Sequence, residues 1–365
     1  MSDKLRLLDF FAGAGLVTEA VSPFFDVIWA NDISPKKADV YRSNHGYEHF
    51  HLGSVEDVCG RTVPPADLAW ASFPCQDLSL AGDQKGIRGR RSGMVWEWLR
   101  VIEEMPDSPS VLVAENVLGL VSSAGGSHYQ SLHLELVARG YTVGALVLDA
   151  VDFVPQSRPR VFVIAVRADL DVSQWITALP GWCHRDSIIR VAQGLPNWVY
   201  WKIPQPPPRK KVLEDILEWD APTHDEDRAK RTLSLIAPLH QTRLLQELTN
   251  GFTAAPGYRR TRNGTQVLEL RFDGIAGCLR TPEGGSSRQF IVLKRNGKLT
   301  TRLLTAREAA RLMGLPENYK LPKNYNDAYK AMGDAVAVPA VRHLAKALLA
   351  PLCNHARSRG ALTIS

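Results

Sequence analysis

LRLLDFFAGAGLVTEAV, residues 5 to 21, decides the fold. Leu5 to Phe10 is an apolar run of strand length, it stops at two glycines, Gly13 and Gly15, and it resumes as a helical segment from Leu16 to Val21. A strand that turns through glycines into a helix lets the backbone reverse tightly and approach a ligand at the carboxyl end of a sheet. Working outward, further short apolar runs follow at Val27 to Ala30, more weakly at Glu48 to Leu52, and at Asp67 to Ser72, Val111 to Ala114, Val143 to Leu148 and Val161 to Val166. Segments of helical character separate them, so the pattern predicts an α/β fold, a parallel sheet wrapped by helices. Gly93 to Glu104 and Tyr129 to Arg139 carry apolar residues at helical spacing and are expected to be crossover helices.

The alternation ends after Val166, where Trp175, Trp182, Trp198 and Trp201 crowd together and PQPPPRKK, Pro204 to Lys211, excludes a helix interior or a central strand. A domain boundary is expected near there. Helical periodicity returns at Asp334 to Leu352, so a C-terminal helix is expected to pack back on the first domain. The 365 residues carry a formal charge of +6, and the charge is uneven. Gly257 to Arg302 holds ten basic and three acidic residues, a net +7, which leaves the rest of the chain at −1. Such a run fits a solvated face or a module that binds polyanions. With 45% hydrophobic and 22% charged residues the chain can bury an ordinary core, which excludes a disordered protein. The five cysteines, Cys59, Cys75, Cys183, Cys278 and Cys353, are scattered and form no Cys-x-x-Cys pair, so neither a disulfide framework nor a metal site is expected. The start of the chain lacks an apolar signal core and no uninterrupted apolar stretch reaches membrane length, so a cytoplasmic protein without a membrane partner is expected.

Chemistry-bearing residues cluster where predicted strands end. Thr18 occupies the place of the third glycine of a dinucleotide-binding fingerprint, which disfavours an NAD enzyme. Asn31-Asp32 ends the second strand, either as a simple turn or as a carboxylate for a ribose. Ser72-Phe73-Pro74-Cys75-Gln76 follows the fourth strand and puts a thiol at the sheet's carboxyl edge, and Glu115-Asn116-Val117 at the end of the fifth brings a carboxylate to the same edge. GDQKGIRGRRSG, Gly82 to Gly93, reads as a mobile basic loop or a merely solvated one. Gln156-Ser157-Arg158-Pro159-Arg160 adds two guanidinium groups before the seventh strand.

DFFAGAG, the Asn-Asp pair, FPCQDLS, ENV, QSRPR, a variable module, RLLTAREAARLMGLP and MGDAV stand in one order over nearly the whole chain. In that order they resemble the DNA cytosine-5 methyltransferases. The resemblance implies a Rossmann-like, doubly wound and mostly parallel sheet of the class I methyltransferase type. It implies residues 1 to 200 as the catalytic domain, 201 to 302 as an inserted target-recognition domain, and 303 to 365 as a segment completing the catalytic domain. The implied activity is transfer of a methyl group from S-adenosyl-L-methionine to C5 of a flipped-out cytosine, leaving S-adenosyl-L-homocysteine. Cys75 would be the nucleophile, Glu115 would act at N3, Arg158 would be the cation near O2, and Arg160 would brace the pocket. Phe11, Gly13, Gly15, Asp32, Ile33, Val55, Pro74, Asp334 and Val336 would line the cofactor. Gln76, Ser79, Arg91, Arg259, Arg260, Arg262, Arg280 and Arg288 would meet DNA, the clustered Arg259, Arg260 and Arg262 from a loop-like setting beside Gly257 and Gly264. The implied partner is double-stranded DNA, bound by a monomer, and a cognate restriction endonuclease stays open.

The sequence departs from the family pattern at Leu16, where another glycine is common, at Asp334, where asparagine is usual, and at Ser54, where an aspartate that meets the adenine amino group is general. Two other readings compete. A tRNA cytosine-5 methyltransferase would use the same chemistry, but its Cys-Phe-Thr segment is absent from this chain. A non-catalytic scaffold of the same fold would not need Cys75, Glu115 and Arg158 together.

Overall fold

The computed structural model describes residues 4–74, 93–281 and 288–362. Seven strands form the main sheet: β1 (Leu5–Phe10), β2 (Phe25–Asp32), β3 (Phe50–Leu52), β4 (Leu68–Ala71), β5 (Val111–Val117), β6 (Tyr141–Asp149) and β7 (Pro159–Arg167). Their order is β3-β2-β1-β4-β5-β7-β6. β1 to β5 pair in parallel and β7 runs antiparallel to β5. The order reverses direction between β1 and β4, the topological switch point at whose carboxyl edge open α/β sheets bind ligands.

The helices form where the sequence supplies their ends. α1 (Leu16–Val21) starts from Gly15, whose φ of 86° lies in the left-handed region. α2 (Pro35–His45) has Ser34 accepting from the Lys37 amide and proline in its first turn. α3 (Met94–Glu104) turns Val95, Trp98, Leu99, Val101 and Ile102 inward, into one cluster with Leu8, Phe10, Leu112 and Val163 from the sheet. Burying each such side chain contributes about 1.5–3 kcal/mol, so this cluster is the main reason the sheet and α3 stay together.

Two compact units divide the chain, one of Met1–Leu148, Pro159–Pro207 and Ala340–Ser365, the other of Asp149–Arg158 and Pro208–Pro339. The sequence reading had placed its boundaries at 200/201 and 302/303. In the first unit the C-terminal helical residues are pinned by Arg342, which donates to the Glu19 and Ala20 carbonyls, and by Arg357, paired with Asp67 at 2.6 Å. The helical run Tyr325–Arg359 is long and apolar enough to cross a membrane, with a mean hydropathy of 1.4, but 67% of that window is buried inside the protein.

The second unit holds an antiparallel sheet of β10 (Ala254–Arg262), β11 (Thr265–Leu270), β12 (Gln289–Arg295) and β13 (Lys298–Leu303), in the order β11-β10-β12-β13; the small pair β8 (Ile176–Thr177) and β9 (Tyr200–Trp201) belongs to the first. Both hairpins of the larger sheet close through Asn-Gly with positive φ at each residue, Asn263-Gly264 and Asn296-Gly297, the backbone of a two-residue turn matched to strand twist. Arg259, Arg260 and Arg262 therefore lie on a strand, which corrects the loop expected from the glycines around them. Gly257 is no loop glycine: a Cβ there would lie 2.6 Å from Leu270 Cδ2 and 2.8 Å from the Glu269 carbonyl oxygen, so it lets two strands approach closely.

Candidate active site

At the carboxyl edge of β1 the chain enters the turn with Phe11 at φ 57°, a conformation that costs a non-glycine residue on the order of 1 kcal/mol. Gly13 and Gly15 follow at φ 58° and 86°. The Gly13 amide donates to Asp32 Oδ2 at 2.9 Å and the Ser34 amide to Asp32 Oδ1 at 2.8 Å, so a buried carboxylate ties the β1 turn to the start of α2. A carboxylate has about four acceptor positions, so two main-chain bonds leave Asp32 able to accept from a ribose. Beside it Ile33 is 70% exposed, a large apolar side chain with its face open. Left-handed glycines, a buried acceptor and an open apolar face suit a nucleoside-bearing cofactor.

Asn31 Nδ2 reaches across to the carbonyls of His51 and Gly53, which places Ser54 and the buried Val55 next to Asp32. Ser54 caps the 3₁₀ turn Val55–Asp57 and donates to Glu56 Oε2 at 3.2 Å. A carboxylate thus stands beside Ser54.

Glu115 and Arg160 meet at the carboxyl end of β5. β5 and β7 pair with Glu115 opposite Phe162 and Val117 opposite Arg160, so the two side chains are diagonal neighbours on one face. Arg160 Nε lies 3.1 Å from Glu115 Oε1, and both side chains are largely buried. Asn116, which the sequence reading quoted without a role, donates from Nδ2 to the Phe73 carbonyl at 2.9 Å. It holds the residues that lead into Pro74, which is exposed. Cys75, Gln76, Ser79 and Arg91 lie outside the described residues.

Arg158 stands differently from the expectation. Its guanidinium is buried in the second unit and donates to the carbonyls of Leu279, Gly333 and Ala335. The resemblance assigns Arg158 to the substrate and Arg160 to bracing; in the structure the Arg158 guanidinium is taken up by main-chain carbonyls and Arg160 stands beside Glu115. Arg158 clasps the main chain on either side of Asp334, while Arg160 is the guanidinium next to Glu115. Asp334 accepts from Thr281 Oγ1, and Val336 is buried in the same unit. Arg158→Met is expected to leave these carbonyls without a donor and to lower stability by about 2–5 kcal/mol, read by denaturant unfolding. An unchanged unfolding midpoint would reject the bracing role.

Of the other arginines expected to meet DNA, several already have partners. Arg262 pairs with Glu269 at 2.6 Å, Arg259 lies over the Phe290 ring, Arg260 over Tyr258, and Arg288 over Tyr325 with a hydrogen bond to Asn326. Arg280 is exposed. Among the described residues no group of three or more His, Cys, Asp or Glu could hold a metal ion.

A family model for C-5 cytosine-specific DNA methylases matches residues 5–350. The chain belongs to that family. Among curated relatives, the type II methyltransferase M.HhaI of Haemophilus parahaemolyticus is 25% identical over 345 residues, 93% of each chain. M.NlaX of Neisseria lactamica is 27% identical, over 95% of this chain and 97% of its own. Among solved structures, the S. pombe Dnmt2 methyltransferase superposes with a TM-score of 0.58 at 21% identity, covering 96% of this chain and 99% of its own. A putative DNA modification methyltransferase of an E. coli prophage gives 0.55 at 20%, covering 96% and 100%. Those two likenesses confirm the class I methyltransferase fold. The chain is a DNA methyltransferase, which implies an S-adenosylmethionine cofactor and DNA as substrate.

Proposed function

We propose that this methyltransferase modifies C5 of a cytosine within a specific duplex sequence, through a covalent bond between Cys75 and C6 of the base. The observation that carries the reading is the Glu115–Arg160 pair, held at the carboxyl edge of β5 next to the Phe73-Pro74 turn that Asn116 anchors. Cytosine C5 is a weak nucleophile, and adding a thiolate at C6 turns it into an enamine carbon. The Cys75 thiolate forms the S–C6 bond while Glu115 gives a proton to N3 and Arg160 stabilises charge on O2. The bound cofactor supplies the methyl group that C5 takes. N3 returns its proton to Glu115 as C5 takes the methyl group, and loss of the C5 proton to water or hydroxide then expels the thiolate and restores the ring.

None of these groups reaches a base stacked in a duplex, so the target cytosine must leave the helix. The basic second unit would read the sequence around it, with Arg280 and whichever strand arginines release their present partners on DNA. Phe11, Gly13, Gly15, Asp32, Ile33 and Val55 would hold the cofactor. A monomer in the cytoplasm, working with or without a cognate endonuclease, fits this role.

Bisulfite sequencing of host DNA after expression tests the reading. Complete conversion resistance at one recurring sequence is expected. Host DNA that stays fully convertible while tRNA gains 5-methylcytosine would replace this reading with the RNA-directed one.

A further inference from the structure

Arg100 lies on the polar side of α3 and has no role in the reading above, yet all five of its N–H donors are used. Nε donates to Glu97 Oε2 at 2.7 Å, and one terminal nitrogen donates to Glu104 Oε1 at 2.8 Å and to the Val58 carbonyl at 3.1 Å. The other terminal nitrogen donates to the carbonyls of Val55 at 3.3 Å and Glu56 at 3.2 Å. Glu104, which Arg100 orients, accepts from the Gly60 amide at 2.8 Å, and that amide with Arg100 holds its carboxyl below the usual range. Gly60 itself is pressed onto α3 so closely that a Cβ would fall 2.1 Å from the Val101 carbonyl oxygen. A helix surface residue engaged only in ion pairs with Glu97 and Glu104 would need none of the three carbonyls. The contacts instead gather the main chain from Val55 to Gly60, whose other end Asn31 fixes beside Asp32 through Gly53.

We propose that Arg100 is a positioning residue for the cofactor, holding the turn Val55–Val58 in the shape the adenosine half requires. This rests on the reading that the edge at Asp32 takes S-adenosylmethionine. Arg100 touches no reacting atom. It removes in advance the freedom of a turn that would otherwise have to order when the ligand binds, and such ordering weakens binding by about 10-fold to 100-fold. Lysine, with three donors on one nitrogen, cannot reproduce a planar fork spread over three carbonyls and two carboxylates.

Calorimetry with S-adenosylhomocysteine and no DNA tests the proposal in the full chain. Arg100→Met keeps the stem and removes the donors, so its Kd should rise by about 10-fold to 100-fold while kcat at saturating cofactor and KM for DNA stay within about 3-fold of wild type. Glu97→Gln, which spares the carbonyl contacts, should bind as wild type does. If Arg100→Met fails to fold, Arg100→Gln carries the same test, with a rise of at least about 5-fold expected. A lower melting temperature with an unchanged Kd overturns the proposal and leaves Arg100 as a stabiliser of α3. Wild-type protein that binds no S-adenosylhomocysteine would instead overturn the cofactor reading beneath it.

Discussion

Duplex DNA carrying 5-fluorocytosine at the target is expected to trap the wild-type chain in a stable covalent adduct and to trap none of a Cys75→Ser variant. Fluorine at C5 cannot leave as a proton does, so the last step fails and the S–C6 bond persists. Serine keeps the size and position of the side chain but removes the nucleophile. A free thiol with pKa of about 8.5 is already a few per cent ionised at neutral pH, whereas a hydroxyl is essentially un-ionised. Turnover should therefore fall by about four orders of magnitude or more. Binding of the cofactor product should not change. Denaturing gel electrophoresis after incubation reads the adduct directly, and equal trapping of both proteins would remove Cys75 from the mechanism.

The main sheet was legible because each of its strands is a short apolar run bounded by turn residues, and β1 and β5 start where the hydrophobicity does. β5 runs on to Val117, past Ala114 where the apolar run ends, and the polar Glu115 and Asn116 at its end are fully part of the strand. They are buried strand residues because Arg160 and the Phe73 carbonyl receive them, and no local pattern announces a partner 43 or 45 positions away. The different surroundings of the two arginines of QSRPR were hidden for a related reason. Residues i and i+2 share a face only when both lie in a strand, and β7 begins at Pro159, so Arg158 precedes it and turns into the second unit. In that unit the strands carrying Arg259 to Arg262 were readable after all. Asn263-Gly264 and Asn296-Gly297, each between runs of strand-forming residues, signal two-residue hairpins within the basic stretch.

Glu115→Gln is expected to cut kcat by about 10²-fold to 10⁴-fold, the usual worth of a positioned proton donor, while DNA and cofactor bind nearly as before. Glutamine fills the same volume and still offers a hydrogen bond to N3, but it cannot hand over a proton as charge builds on the ring. The loss thus falls on the transition state and leaves the ground state almost untouched. The structure adds a complication to be separated experimentally. Glu115 also faces Arg160, so replacing its carboxyl leaves a largely buried guanidinium beside an amide that cannot ionise, a situation that can lower stability on its own. Single-turnover rates measured with saturating DNA and cofactor, at a temperature well below the melting transition of the variant, isolate the chemical step from folding. If those rates match wild type and only the melting temperature or the DNA affinity drops, Glu115 is a structural counter-ion for Arg160. If the rates collapse while both affinities hold, proton transfer at N3 is the work this carboxyl does. Arg160→Met then supplies the remaining comparison: it should slow the same step by stripping charge stabilisation from O2, and combining it with Glu115→Gln should cost less than the two losses added, as expected for residues acting on one developing charge.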